Sequence, residues 1–124
     1  MTFSTFSTAA AGETHIDVSG KYTRVHESKN EEADLQVKNI PGGRVHVTGT
    51  ALWGTDNKYG PNIGQLDFVA SVHNGRVHYS DRHGSGKGYN LEIQFNKHGL
   101  TATEKGPNGD FGLNVTFEGE YRKQ

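Results

Sequence analysis

Ala70-Ser71-Val72-His73-Asn74-Gly75-Arg76-Val77-His78-Tyr79 sets an Asn-Gly pair between two runs that alternate in polarity. A two-residue type I′ reversal needs positive φ at both central positions, and Asn-Gly accepts this at low cost. The loop length predicts the cross-strand pairs His73–Arg76, Val72–Val77, Ser71–His78 and Ala70–Tyr79. Apolar partners fall on one face of this hairpin and polar partners on the other. That agreement selects antiparallel β-structure.

The same alternation extends outward. Tyr89, Leu91, Ile93 and Phe95 alternate with Asn90, Glu92, Gln94 and Asn96. Leu113, Val115, Phe117, Gly119 and Tyr121 alternate with Asn114, Thr116, Glu118, Glu120 and Arg122. Val45, Val47, Gly49, Ala51 and Trp53 alternate with His46, Thr48 and Thr50. Period two marks strands with one buried and one wet face. Strands are expected over 19–26, 34–40, 44–53, 64–73, 76–81, 88–96, 99–105 and 111–122. No stretch carries helical periodicity between caps. Pro41-Gly42-Gly43 and Lys97-His98-Gly99 read as further tight reversals.

In an up-and-down order, the turns at 41–43, 74–75 and 97–98 share one end, and the longer connections 27–33, 54–63, 82–87 and 106–110 share the other. Eight strands bring the first beside the last and close the sheet, removing both edges. The expectation is an all-β, antiparallel up-and-down barrel, lipocalin-like in outline, with a tight base and a loop-lined mouth. Leu35, Val37, Val45, Val47, Phe68, Val72, Val77, Leu91, Ile93, Phe95, Leu100, Val115 and Phe117 face inward.

With 124 residues, the chain has room for one domain and one modest core. Residues 13–124 are assigned to it. Residues 1–12, uncharged and rich in Ser, Thr and Ala, are expected to be a disordered tail or the start of a mature exported chain carrying an added Met. The net charge of −1 offers no long-range field toward nucleic acid or an anionic membrane, and no apolar window is long enough to insert. Without cysteine, disulfides, thiol nucleophiles and cysteine-bound zinc are excluded. Seven histidines raise a metal hypothesis. In the predicted register, however, His73 and His78 are diagonal neighbours about 7–8 Å apart on the outer face, awkward for one ion. No metal and no cofactor are expected.

At the mouth the alternation brings polar groups inward: Asp81 after Tyr79, Glu104 after Ala102, and Arg24 and His26 if Tyr22 faces in. Trp53, Tyr79 and Tyr89 lie at similar height. An apolar pocket rimmed by a few convergent polar groups is the usual form of a ligand site. The blander reading, solvated residues at the ends of strands, carries more weight, because charges are rarely buried without partners. Gly84-Ser85-Gly86-Lys87-Gly88 lacks the spacing and the strand-to-helix context of a phosphate loop.

Gly112-Leu113-Asn114-Val115-Thr116-Phe117-Glu118-Gly119-Glu120-Tyr121-Arg122 resembles the ending of small exported β-domains of Gram-negative bacteria. There a glycine precedes an NVSF or NVTF strand and then G-x-Y-R. Leu35-Gln36-Val37, Gly49-Thr50-Ala51-Leu52-Trp53-Gly54 and Gly64-Gln65-Leu66 are similar too, so the resemblance covers most of residues 20–122. Many members carry cysteines where this chain has Tyr89 and Asp110-Phe111. Some sit in proteins with lysozyme-inhibitor-like modules. The resemblance implies a periplasmic or secreted protein, with a cytoplasmic one as the alternative.

Three functions are weighed. The favoured one is a non-catalytic binding barrel taking a small amphipathic ligand or a protein partner at its mouth. Trp53, Tyr59, Tyr79, Tyr89 and Phe111 would supply apolar contact, and Arg24, His26, Asp81 and Glu104 would orient a polar head. The second is an inhibitor of a lysozyme-like cell-wall hydrolase, inserting Arg82–Lys87 between target carboxylates. The third is a small enzyme pairing His26 with Asp81 or Glu104 as acid and base, which requires a roomy cavity. A closed barrel is expected as a monomer; an open one could pair its edges into a dimer.

Overall fold

The computed structural model describes residues 17–25, 30–82 and 87–124. Its elements are β1 (Gly20–Arg24), β2 (Glu31–Ile40), β3 (Arg44–Trp53), β4 (Asn62–Ser71), β5 (Arg76–Ser80), β6 (Asn90–Phe95), β7 (Gly99–Lys105) and β8 (Gly119–Lys123). They form one antiparallel sheet ordered β4-β3-β2-β1-β8-β7-β6-β5. The first strand pairs with the last, Thr23 opposite Arg122 and Arg24 opposite Tyr121, which wraps the sheet into a nearly closed up-and-down barrel.

The inward set follows from the alternation. Leu35, Val37, Val45, Val47, Phe68, Val77, Leu91, Ile93, Leu100 and Phe117 are buried, and Val72, Phe95 and Val115 pack against them. Burying each such side chain stabilises the fold by roughly 1.5–3 kcal/mol before entropy is counted. Two glycines let side chains pack closely in this interior. A Cβ on Gly49 would lie 2.5 Å from Leu35 Cδ2 and 3.1 Å from Phe117 Cε1. One on Gly64 would lie 2.7 Å from Val115 and 2.9 Å from Phe111.

The Asn-Gly reversal forms as expected, with φ of 53° at Asn74 and 74° at Gly75. His73 and Arg76 exchange two backbone hydrogen bonds of 2.9 Å. The ladder stops there. The expected pairs Val72–Val77, Ser71–His78 and Ala70–Tyr79 are absent, because each arm is anchored to its other neighbour. Val72 N donates to Gly43 O at 2.9 Å, and Phe95 N donates to Gly75 O at 2.8 Å. The hairpin that best announced the fold is therefore where the sheet parts. Contrary to the expected closure, β4 and β5 face each other across a seam. Phe68 and Tyr79 bridge it, their rings stacked at 4.4 Å.

A second correction concerns the last strand. Of the stretch 111–122 expected to be extended, only the end belongs to β8. Positive φ at Asn114 (65°) and Gly119 (147°) breaks the run. Residues 107–118 instead form a strap across the mouth. Gly112 N donates to Ile63 O at 3.0 Å, and Asn62 Nδ2 donates to Leu113 O at 3.0 Å, tying the strap to the start of β4. Smaller shifts lengthen β2 to Glu31 and β4 to Asn62.

Candidate functional site

The mouth holds the residues expected to form a site, and the strap decides what they do. Arg24 faces inward behind Tyr22 and is buried. Its Nη1 donates to Thr116 O at 2.6 Å and to Glu118 O at 3.3 Å. Glu104 Oε2 accepts from Tyr89 Oη at 2.5 Å and from Phe117 N at 3.1 Å, and Glu104 Oε1 accepts from the Thr116 hydroxyl. Glu104 N donates in turn to Glu118 Oε1 at 3.0 Å. Phe111 sits between Tyr89 and Phe117, 5.4 Å from each ring centroid. Burial first, then the Glu104 hydrogen bond and charge, push the Tyr89 phenol far above its ordinary range.

Arg24, Tyr89, Glu104 and Phe111 thus do converge. What they grip is the chain's own strap: both Glu104 oxygens already hold donors, and the aromatic rings plug the barrel. A partly buried carboxylate with three donors makes sound physical sense as a clamp, since unpaired it would be costly.

The other expected residues stand apart. Tyr79 lies at the seam, where burial and then Asp81 raise its phenol pKa. Asp81 N donates to Tyr89 O, and Asp81 O accepts from Gly88 N, closing the base of the next connection. Trp53 ends β3, half-buried, and does not join the core cluster. Tyr59 is 85% exposed, with Lys58 Nζ 5.0 Å from its ring centroid. His26, His83 and the central part of the Arg82–Lys87 segment lie outside the described residues, as do residues 1–16.

The open end is the opposite pole. A dish of about 930 Å³ lies between the three tight turns and the outer ends of β1 and β8. Val72 and Phe95, both half-exposed, form its floor, with Val18 and Tyr22 buried beside them. The Tyr22 ring lies 6.0 Å from Phe95, and its hydroxyl donates to Val18 O at 2.7 Å. Burial, with Asp17 adding to it, raises the Tyr22 phenol above its ordinary value.

The rim is bare for a backbone reason. Gly42, Gly43 and Gly75 all have positive φ, where glycine is favoured, so no side chain overhangs the dish at these points. At the third turn Asn96 Oδ1 accepts from His98 N (3.0 Å) and Gly99 N (2.9 Å). A Cβ on Gly99 would meet the Tyr121 carbonyl at 1.9 Å. The turn signals were legible in the sequence; that their glycines would frame a concavity was not. Val18 and Asp17 carried no signal at all, because they precede the first strand and reach the dish only through the sheet's closure.

A shallower groove of about 620 Å³ runs along the outer side of the Asn74-Gly75 turn, lined by His73, Arg76, His78 and Gln94 among others. Arg76 Nε donates to Gln94 Oε1 at 2.5 Å, and Glu92 Oε2 lies 3.8 Å from Arg76 Nη1. Among the described residues, no three His, Asp or Glu side chains cluster as metal ligands. No protein family, curated protein or solved structure matches this chain.

Proposed function

We propose that the protein is a non-catalytic binding barrel that takes a small amphipathic ligand, and that the ligand sits in the dish at the tight-turn pole. One observation carries this reading. The concavity is open, with a half-apolar floor and a glycine rim, while the mouth is spanned by a strap clamped from inside. Its volume lies within the range of small-molecule sites. The filled interior turns the reading away from the mouth, where the sequence had pointed. Covering Val72 and Phe95 with roughly 200 Å² of apolar contact is worth on the order of 5 kcal/mol before ordering costs. Affinities of about 0.2 mM or weaker follow.

Titrating octyl glucoside below its micelle concentration, followed by amide chemical shifts, tests the assignment. Saturable shifts are expected at Val72, Asn74, Gly75, Phe95 and Gly99. Val72→Arg, which fills the floor with a charged side chain, should weaken binding about tenfold or more. Saturable shifts centred on Trp53, Tyr59 and Phe111 would return the site to the mouth.

A further inference from the structure

Among the described residues, the charges are unevenly placed between the two poles. Lys38 and Arg44 flank the first tight turn, Arg76 follows the second, Lys97 sits in the third, and Arg122 and Lys123 end β8 beside the dish. The carboxylates nearest this pole, among the described residues, are Asp17, Asp67 and Glu92, the last 3.8 Å from Arg76 Nη1. Asp17 Oδ1 accepts from Ser19 N at 2.9 Å; Asp67, farther up β4, lies 2.7 Å from His46 Nε2. The far pole holds Glu31, Glu32, Asp56, Asp81, Glu104, Asp110 and Glu118, interspersed with Arg24, Lys58, Lys87 and Lys105. A field of this polarity steers anions toward the dish.

Two amide oxygens on the rim are already committed. Asn39 Oδ1 accepts from Val18 N (2.9 Å) and from the Ser19 hydroxyl (3.0 Å). Asn96 Oδ1 holds the third turn. Lys97 and Lys123 both line the dish, and neither ammonium has a hydrogen bond or close ion pair among the described residues. Asp17, the one acidic side chain lining the dish, offsets only one of them.

We infer that the dish selects amphiphiles with an anionic head, received by Lys97 and Lys123 while the apolar chain covers Val72 and Phe95. This rests on the binding role proposed above. The concave shape favours one dissolved molecule over the flat face of a bilayer.

The test compares single-chain ligands of matched length, all below their micelle concentrations: octyl phosphate, octyl glucoside and octyltrimethylammonium. Each ammonium at an exposed site is worth a modest factor, so the phosphate should bind about threefold to tenfold tighter than the glucoside, and the cation weakest. Raising the salt to about 0.5 M should shrink that margin. In the Lys97→Gln/Lys123→Gln double variant the ratio of phosphate to glucoside affinity should fall to about one. Equal affinities for all three ligands in the unaltered protein overturn the inference and leave the binding role standing. Failure of all three to bind removes both. Binding to phosphatidylglycerol vesicles without binding to dissolved octyl phosphate also overturns the inference, in favour of a membrane surface.

Discussion

Tyr89 shows how one side chain joins wall to strap. It ends the long connection before β6, is buried, and gives its only proton to Glu104, which also holds Thr116 and the backbone of Phe117. The phenol is kept neutral in the fold, whereas in the unfolded chain it ionises near pH 10. Its contribution is therefore complete below about pH 10. It is lost progressively above that, as the unfolded state gives up a proton that the native state retains. Urea unfolding should show stability falling steeply from about pH 10 upward. Tyr89→Phe should flatten that slope in part, because Tyr22 and Tyr79 are shifted in the same direction. At neutral pH the substitution should cost about 1–2 kcal/mol, since Glu104 loses a donor in a partly buried site. Sequence alternation placed Tyr89 level with Trp53 and Tyr79 and turned Glu104 inward toward the mouth. It could not show that the donors completing the pair come from residues 116 and 117, because that contact depends on how the chain returns after β7.

The eight strands were legible because period two is local: each residue's facing is set by its neighbours in the chain. Register was legible only as far as local chemistry controlled it. Asn74-Gly75 fixed the His73–Arg76 pair, and two hydrogen bonds to β3 and β6 then drew the arms apart. The ladder directions follow. Even-numbered residues of β4 turn their backbone groups to β3, as Val72 does just beyond the strand, and odd-numbered residues turn to the seam. In β5 the even-numbered residues face the seam, as Arg76 does. The amides of Asp67, Val69, His78 and Ser80 should therefore exchange with solvent well ahead of those of Leu66, Phe68, Val77 and Tyr79 in native-state hydrogen exchange. Equal protection of the two sets would mean that the seam is laddered in solution. The last strand failed for a related reason. The alternation of 111–122 is genuine, and Phe117 is buried as it predicts, but alternation cannot register the two positive-φ residues that bend the segment into a strap.

For the barrel as a body, the deciding quantity is interior volume. Strand count and facing allow either a hollow cup or a packed one; here Leu35 of β2 and Phe111, Val115 and Phe117 of the strap come in where Gly49 and Gly64 make room for them. Gly49→Ala should therefore destabilise by about 1–3 kcal/mol through overpacking, read as a lower urea midpoint with an unchanged m-value. A neutral or stabilising result would show spare space at the centre. Packing the interior and strapping the mouth leave the tight-turn pole as the open end. The same closure gathers cations that are scattered through the sequence, so a chain of nearly zero net charge carries a basic face.

By itself, the order of residues determined strand facing, the tight turns with their positive-φ positions, and the meeting of the first strand with the last. Each of these is governed by contacts between near neighbours or by simple up-and-down counting. Which end is closed, where the sheet parts, and which charges share a surface were settled only by tertiary packing. Those outcomes depend on volumes and hydrogen bonds between segments far apart in the chain, and no local pattern encodes them.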